Sequence, residues 1–396
     1  MSDAAHLSEA ARLRRRRAPL VGLGIVALFA GLWGGLIRLG LQLPDDLTAA
    51  SVQHGPLMAL GFLGTLISLE RAVATGRRWA YAAPLAAAIG ALATVTRAPI
   101  ALGPALVTFG GLVLLAAHVD LQHRQPSSHN AVMGLGAVAW CAAGADWLAG
   151  ADAAGFAPLL AGFLVLTIVG ERLELTRAAR RSRLVRMLLE AAIAVFCVGL
   201  GISLANERLG VHVAGVGLAA QALWLARYDI ARHTVRIAGV TRYMAVALLT
   251  GYVWLLCAGV LWAVSAPLYF GPAYDASLHA VFLGFVMSMV FAHAPVIVPA
   301  VLRVPLPYSR GFYAQLVLLH VSLAVRLIGG DLLDDDVLWR WGGIANETAI
   351  LLFLFATAFA VGHARRQTRC ADRRRAGAAS SARVELPIGG IDPGPR

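Results

Sequence analysis

The sequence contains no lysine, few charged residues of either sign and only four cysteines, and each shortage excludes something. Charged residues are 14% of the 396, against 59% hydrophobic, and mean hydropathy is +0.70. Ordinary soluble domains carry about 25% charge, so a water-soluble surface is excluded. The cysteines Cys141, Cys197, Cys257 and Cys370 lie far apart with no C-x-x-C spacing. That excludes a thiolate zinc site and a disulfide framework, and such thiols pack as small apolar groups. A cleavable leader is also missing: the Arg12 to Arg17 cluster runs straight into a long apolar segment, which reads as a first helix held inside-to-outside.

Long apolar runs fill most of the chain. About 20 such residues cross about 30 Å of hydrocarbon as a helix, and only helices or closed barrels satisfy the backbone in lipid. Continuous rather than alternating hydrophobicity selects helices. The sequence predicts about twelve transmembrane helices, over 18–40, 50–71, 79–98, 99–118, 129–149, 156–175, 185–204, 210–228, 243–265, 277–300, 311–329 and 339–363. The tight turn at Arg97-Ala98-Pro99 between the third and fourth is the one place where re-entrant segments are an alternative. Residues 1–17 form a basic tail and 18–364 the membrane domain. From 365 to 396 the composition cannot bury a core, and disorder is expected.

With lysine absent, the formal net charge of +12 rests on 34 arginines. All but Arg38, Arg97, Arg208, Arg326 and Arg340 fall on one side of the predicted topology. This is the positive-inside asymmetry and puts both termini in the cytoplasm, at a bacterial inner membrane. Acidic residues lean the other way, with Asp45, Asp46, Asp152, Glu207, Asp275, Asp331 and Asp334 to Asp336 assigned to outer loops. The basic excess therefore reads as topology and contact with anionic lipid rather than as a nucleic-acid footprint.

A repeat underlies the helices. Gly61 to Arg71 (G-F-L-G-T-L-I-S-L-E-R) recurs as Gly162 to Arg172 (G-F-L-V-L-T-I-V-G-E-R) and, more loosely, as Gly284 to His293 (G-F-V-M-S-M-V-F-A-H). The copies fall on the second, sixth and tenth predicted helices, a period of four, which suggests three four-helix arcs. Nine residues after the glycine stand Glu70, Glu171 and His293. Glu70 and Glu171 are each followed by arginine, so an interfacial ion pair and a proton entry point are both open readings. Ionisable groups at membrane depth are expensive and functional by default. Glu347, in the twelfth helix, joins Glu70 and Glu171 as a candidate proton path.

His54 and His279 lie about one turn inside the same end of the second and tenth helices. One imidazole from each of two helices can hold a porphyrin; the plainer reading is a pair of interfacial histidines bonded to loop groups. His293 returns to the face of His279 roughly 21 Å further along, at the expected depth of His320 on the next helix. His293 and His320 are thus candidates for a second metal or heme site, or else helix-packing groups. Arg38, Arg97 and Arg326, near the outer ends, either snorkel or pair with heme propionates, Arg326 being the first choice. His118, His123 and His129 are expected in a solvated loop, and Met58, Met287 and Met289 as packing or ligands.

Q-H-G-P-L-M-A-L-G-F-L, Gln53 to Leu63, resembles the second helix of heme–copper oxidase subunit I, whose histidine binds a low-spin heme. Ser277 to His293 (S-L-H-A-V-F-L-G-F-V-M-S-M-V-F-A-H) is similar to the late helix of the NnrS family within that superfamily. The resemblance implies twelve helices in three pseudo-symmetric arcs, heme b held by His54 and His279, and a link to nitric oxide and denitrification stress. It also implies a respiratory electron donor. Departures limit it: the predicted sixth helix lacks a histidine–tyrosine pair, the seventh has no histidine, and Leu278 and Ala280 flank a lone His279. An ordinary oxidase copper site is therefore not expected; copper remains a candidate only at His293 and His320. The rival readings are a proton-coupled transporter and a cofactor-free partner of a respiratory complex.

Overall fold

The computed structural model describes residues 2–44, 48–96, 98–176, 181–265 and 270–384, with side chains described within 13–367. Asp45, Asp46, Arg97, residues 385–396 and the side chains of His6 and Cys370 lie outside that set. The described residues are helical, with no strand among them.

Twelve principal helices follow in order: α1 (Ser2–Arg38), α2 (His54–Thr75), α3 (Trp79–Ala93), α4 (Leu102–Arg124), α5 (Ser128–Leu148) and α6 (Ala153–Thr176). After them come α7 (Arg183–Ser203), α8 (Glu207–Tyr228), α9 (Val240–Val264), α10 (Pro272–Leu302), α11 (Phe312–Leu332) and α12 (Asp336–Val384). Short helices at Thr48–Val52 and Ala231–Thr234 lie between them. Eleven helices among the described residues are long and apolar enough to cross a membrane. The chain is accordingly a multi-pass membrane protein. Its third helix is the exception to the expected twelve: Trp79–Ala93 rises only about 22 Å, short of the hydrocarbon thickness. Beyond it Thr94 and Thr96 turn their hydroxyls back onto the carbonyls of Ala91 and Ala93, and Pro99 disfavours helix at the residue before it.

Where disorder is expected from residue 365, α12 continues to Val384. Alanine and arginine dominate this stretch, and both are strong helix formers.

The repeat glycines mark the centre. Helices α2, α6 and α10 contact one another, and they bury 67%, 83% and 61% of their most apolar stretch, against at most 56% elsewhere. Their parallel run follows from shared ends: α2, α6 and α10 all line a cavity near their N-terminal ends and meet again in a charged cluster further along. Each repeat glycine is the point where a flanking helix comes close. Gly61 sits between Ala27 and Ala91, Gly162 against Leu200, and Gly284 against Trp254. Small residues permit such approaches in lipid, where packing rather than hydrophobicity drives association.

Three segments leave the α-helical register. Leu57–Gly64 in α2, Ala280–Met287 in α10 and Val325–Leu332 in α11 are π-helical. Gly61 and Gly284 are each the fifth residue of their π segment, so two copies of the repeat widen at the same place. Four residues on, Thr65 and Ser288 donate their hydroxyls to the carbonyls of Gly61 and Gly284, each at 2.6 Å. These bonds satisfy carbonyls that the altered register loosens. Such π turns occur frequently at functional sites.

Candidate functional site

At the N-terminal ends of α2 and α10 the bundle encloses a cavity of about 370 Å³, within the range of small-molecule sites. His54 and His279 both line it, together with Arg38, Met58, Asp275, Arg326, Trp339 and Glu347. The rest of its lining is mostly apolar, drawn from α1, α2, α6, α10 and α12.

The two imidazoles are held alike. The Nδ1 of His54 lies 2.7 Å from the Gly31 carbonyl of α1. The Nδ1 of His279 lies 2.8 Å from the Asp275 carbonyl, one turn back on its own helix. A carbonyl only accepts, so each Nδ1 carries a proton, and in the neutral imidazole each Nε2 keeps its lone pair. No described residue bonds either Nε2. This is the arrangement in which an outer hydrogen bond fixes the tautomer of a metal-binding histidine.

Asp275 is the residue that sequence reasoning misplaced. It belongs not to an outer loop but to the first turn of α10, inside the cavity wall. Its carboxylate stands 3.2 Å from the Nδ1 of His279. Arg326 donates to both of its oxygens at 2.8 Å, and the Trp339 indole donates at 3.2 Å. The same guanidinium stacks over the Trp339 ring at 5.4 Å. A bidentate arginine–carboxylate pair is among the stronger and more directional contacts available. Arg326 commits two of its N–H donors to Asp275 and acts on His279 through that carboxylate, while still lining the cavity. Arg38, exposed at the cavity edge and making no hydrogen bond with a described residue, is the arginine left open to an anion. The missed signal was the i, i+4 spacing of Asp275 and His279, which places both on one helix face.

Glu347 of α12 reaches the cavity close to His54: a Cβ added at Gly35 would meet both the Glu347 carboxylate and the His54 ring. Asn346, beside it, donates to the Leu319 carbonyl at 3.1 Å and to Ser322 at 2.6 Å, tying α12 to α11. Met58 and Met287 also line the cavity, whereas Met289 packs at Gly251.

The second predicted site fares differently. His293 is buried, its Nδ1 donates to the Met289 carbonyl at 2.7 Å, and its Nε2 has no partner. In His320 both nitrogens are committed. Trp254, which can only donate, gives its indole proton to Nδ1 at 2.9 Å, and Nε2 lies 2.8 Å from the Thr250 hydroxyl. No lone pair is left on His320 for a metal. Among the described residues no three histidine, cysteine, aspartate or glutamate side chains are grouped so as to hold a metal ion.

Around His293 the repeat positions converge. Glu70 stands near Glu171 and near His293, so the three residues nine positions after the repeat glycines meet in one cluster. His118, expected in a solvated loop, is instead buried, with its Nδ1 2.8 Å from the Asn130 amide oxygen.

One family model matches this chain, over residues 17–362: Domain of unknown function (DUF8744). The chain belongs to this family. No curated protein and no solved structure matches it. The DUF8744 match covers the cavity, the π segments and the inner cluster, and it leaves out the arginine-rich ends of α1 and α12.

Proposed function

We propose that this member of the DUF8744 family is an integral membrane protein that holds heme b between His54 and His279, in an arrangement like that of heme–copper oxidase subunit I. The observation that carries the reading is the pair of imidazoles on parallel helices, both presenting a bare Nε2 at one cavity. The period of four helices, and the mutual contact of the three repeat helices, support three four-helix arcs.

The residues present fit such a group. His54 and His279 would hold the iron of such a group through their Nε2 atoms, and Arg38 at the rim would face a carboxylate substituent. Heme b, when bound, would supply a one-electron redox centre. The chain's own part is then to hold and orient. Gly31 fixes His54, Asp275 fixes His279, and Arg326 with Trp339 fixes Asp275. In this reading the protein serves under nitric oxide and denitrification stress, at a bacterial inner membrane, with a respiratory electron donor and with its arginine-rich side in the cytoplasm. A copper centre at His293 and His320 is not part of it, because His320 has no nitrogen to give.

The test is heme content. Purified protein should carry heme, and His54→Ala and His279→Ala should each lose at least tenfold in heme occupancy, while His320→Ala retains it. Unchanged occupancy in His54→Ala would sink the reading. Glu347, a carboxylate facing the same cavity, favours a second reading as a proton-coupled transporter. Colourless, folded protein that moves a solute down a proton gradient would establish that one instead.

A further inference from the structure

At the other end of α2, α6 and α10 lies a group of charges, while Arg17 of α1, buried at the same end, donates to the Val301 carbonyl at 3.1 Å. Arg172 pairs with Asp229 at 3.2 Å, with side-chain exposures of 4% and 0%, and also faces Glu171 and His293. Tyr252 of α9 lies beside it. Arg71 is left to serve two carboxylates, Glu70 at 3.2 Å and Glu171 at 3.8 Å. Glu174 adds a further carboxylate near Glu171, but it is exposed and solvated. His118 of α4 faces Arg71 from behind, with its Nδ1 engaged by Asn130. One guanidinium thus stands between two carboxylates, and beside them is a buried imidazole whose Nε2 accepts from nothing.

An uncompensated charge in a poorly solvated site is costly, and such groups neutralise themselves by binding a counter-ion or a proton. A metal cation is disfavoured, because the side chains are not grouped as a metal site. We propose that Glu70 and Glu171, which share Arg71, bind one proton between them beside the buried, unpartnered Nε2 of His293, as a proton-binding site built from the same position of three repeated helices. Glu70 lies near both Glu171 and His293, and Arg172 also faces His293, so the carboxylates rather than the imidazole take the proton. The proton needs no other reactant: it binds a carboxylate oxygen and leaves to water at the arginine-rich end. The site lies about 21–24 Å along the helices from His279 and His54, and it stands on its own geometry whether or not a heme is bound.

The test is infrared spectroscopy of the full-length purified protein, grown with carboxyl-labelled glutamate so that glutamate and aspartate bands separate. Glu347→Gln removes the cavity carboxyl from the spectrum. In that background a protonated glutamate band should persist at neutral pH, disappear on adding Glu70→Gln and Glu171→Gln together, and shift in frequency with His293→Gln. Absence of any protonated glutamate band at neutral pH in the Glu347→Gln protein would overturn the proposal, even if the cluster variants fail to fold. So would a band that survives the double variant. A band missing at neutral pH together with a rise in melting temperature on adding sodium would place a metal cation there, and would equally overturn it.

Discussion

At the scale of residues, the histidines sort by what their two nitrogens do. His54, His279 and His293 each donate Nδ1–H to a backbone carbonyl and keep Nε2 bare, whereas His320 spends both nitrogens on side chains. The first two open onto a cavity and the third into a charged cluster, so identical imidazole chemistry is directed to different ends. Asp275 adds a carboxylate behind His279 that His54 lacks. Outer-shell partners of this kind contribute about 10–100-fold in metal affinity. Asp275→Asn should therefore weaken heme retention by roughly that factor, measured as the rate of heme transfer to an apo-globin acceptor. An unchanged transfer rate would remove Asp275 from the site. His54 and His279 were legible in the sequence because a polar ring one turn inside an apolar helix is conspicuous. Asp275 was not, because an acid at a predicted helix end looks the same whether it faces water or a neighbour.

At the scale of elements, the matching π segments and their glycines say more than helix boundaries do. Hydropathy located the spans to within a few residues, since burial in lipid is written directly in composition. The π register leaves no such mark: Gly61 and Gly284 read only as small residues, and their shared place in a widened turn emerges from the backbone. The shortened α3 was missed for a related reason, because Thr94 and Thr96 are apolar enough to extend a span on paper while their hydroxyls turn the chain. Gly284 packs on Trp254, a rigid neighbour that also bonds His320. Gly284→Leu should cost roughly 1–3 kcal/mol through overpacking. The readout is the melting temperature in detergent, with Gly22→Leu as a control, since nothing lies near Gly22. Equal shifts for the two would mean that the approach at Gly284 is not tight.

At the scale of the molecule, two polar sites occupy opposite ends of one three-helix centre. The cavity holds the imidazole pair, and the cluster holds Glu70, Glu171 and His293 near the arginine-rich end. The arginine asymmetry predicts that this end faces the cytoplasm. A reporter active only in the cytoplasm, fused after residue 384, should be active, and the same reporter inserted at Gly150 should be silent. The reverse pattern would invert the topology, placing the cavity on the cytoplasmic side. The repeat was legible in the chain as three glycine-led segments, but their convergence was not, because sequence spacing does not say which helices touch.

The most direct measurement of the central claim is a reduced-minus-oxidised absorption spectrum of the purified protein, with and without nitric oxide. A sharp heme b band, lost in both His54→Ala and His279→Ala and perturbed by nitric oxide, is the predicted result. Folded protein with no heme absorption, or a heme band indifferent to both substitutions, would contradict it.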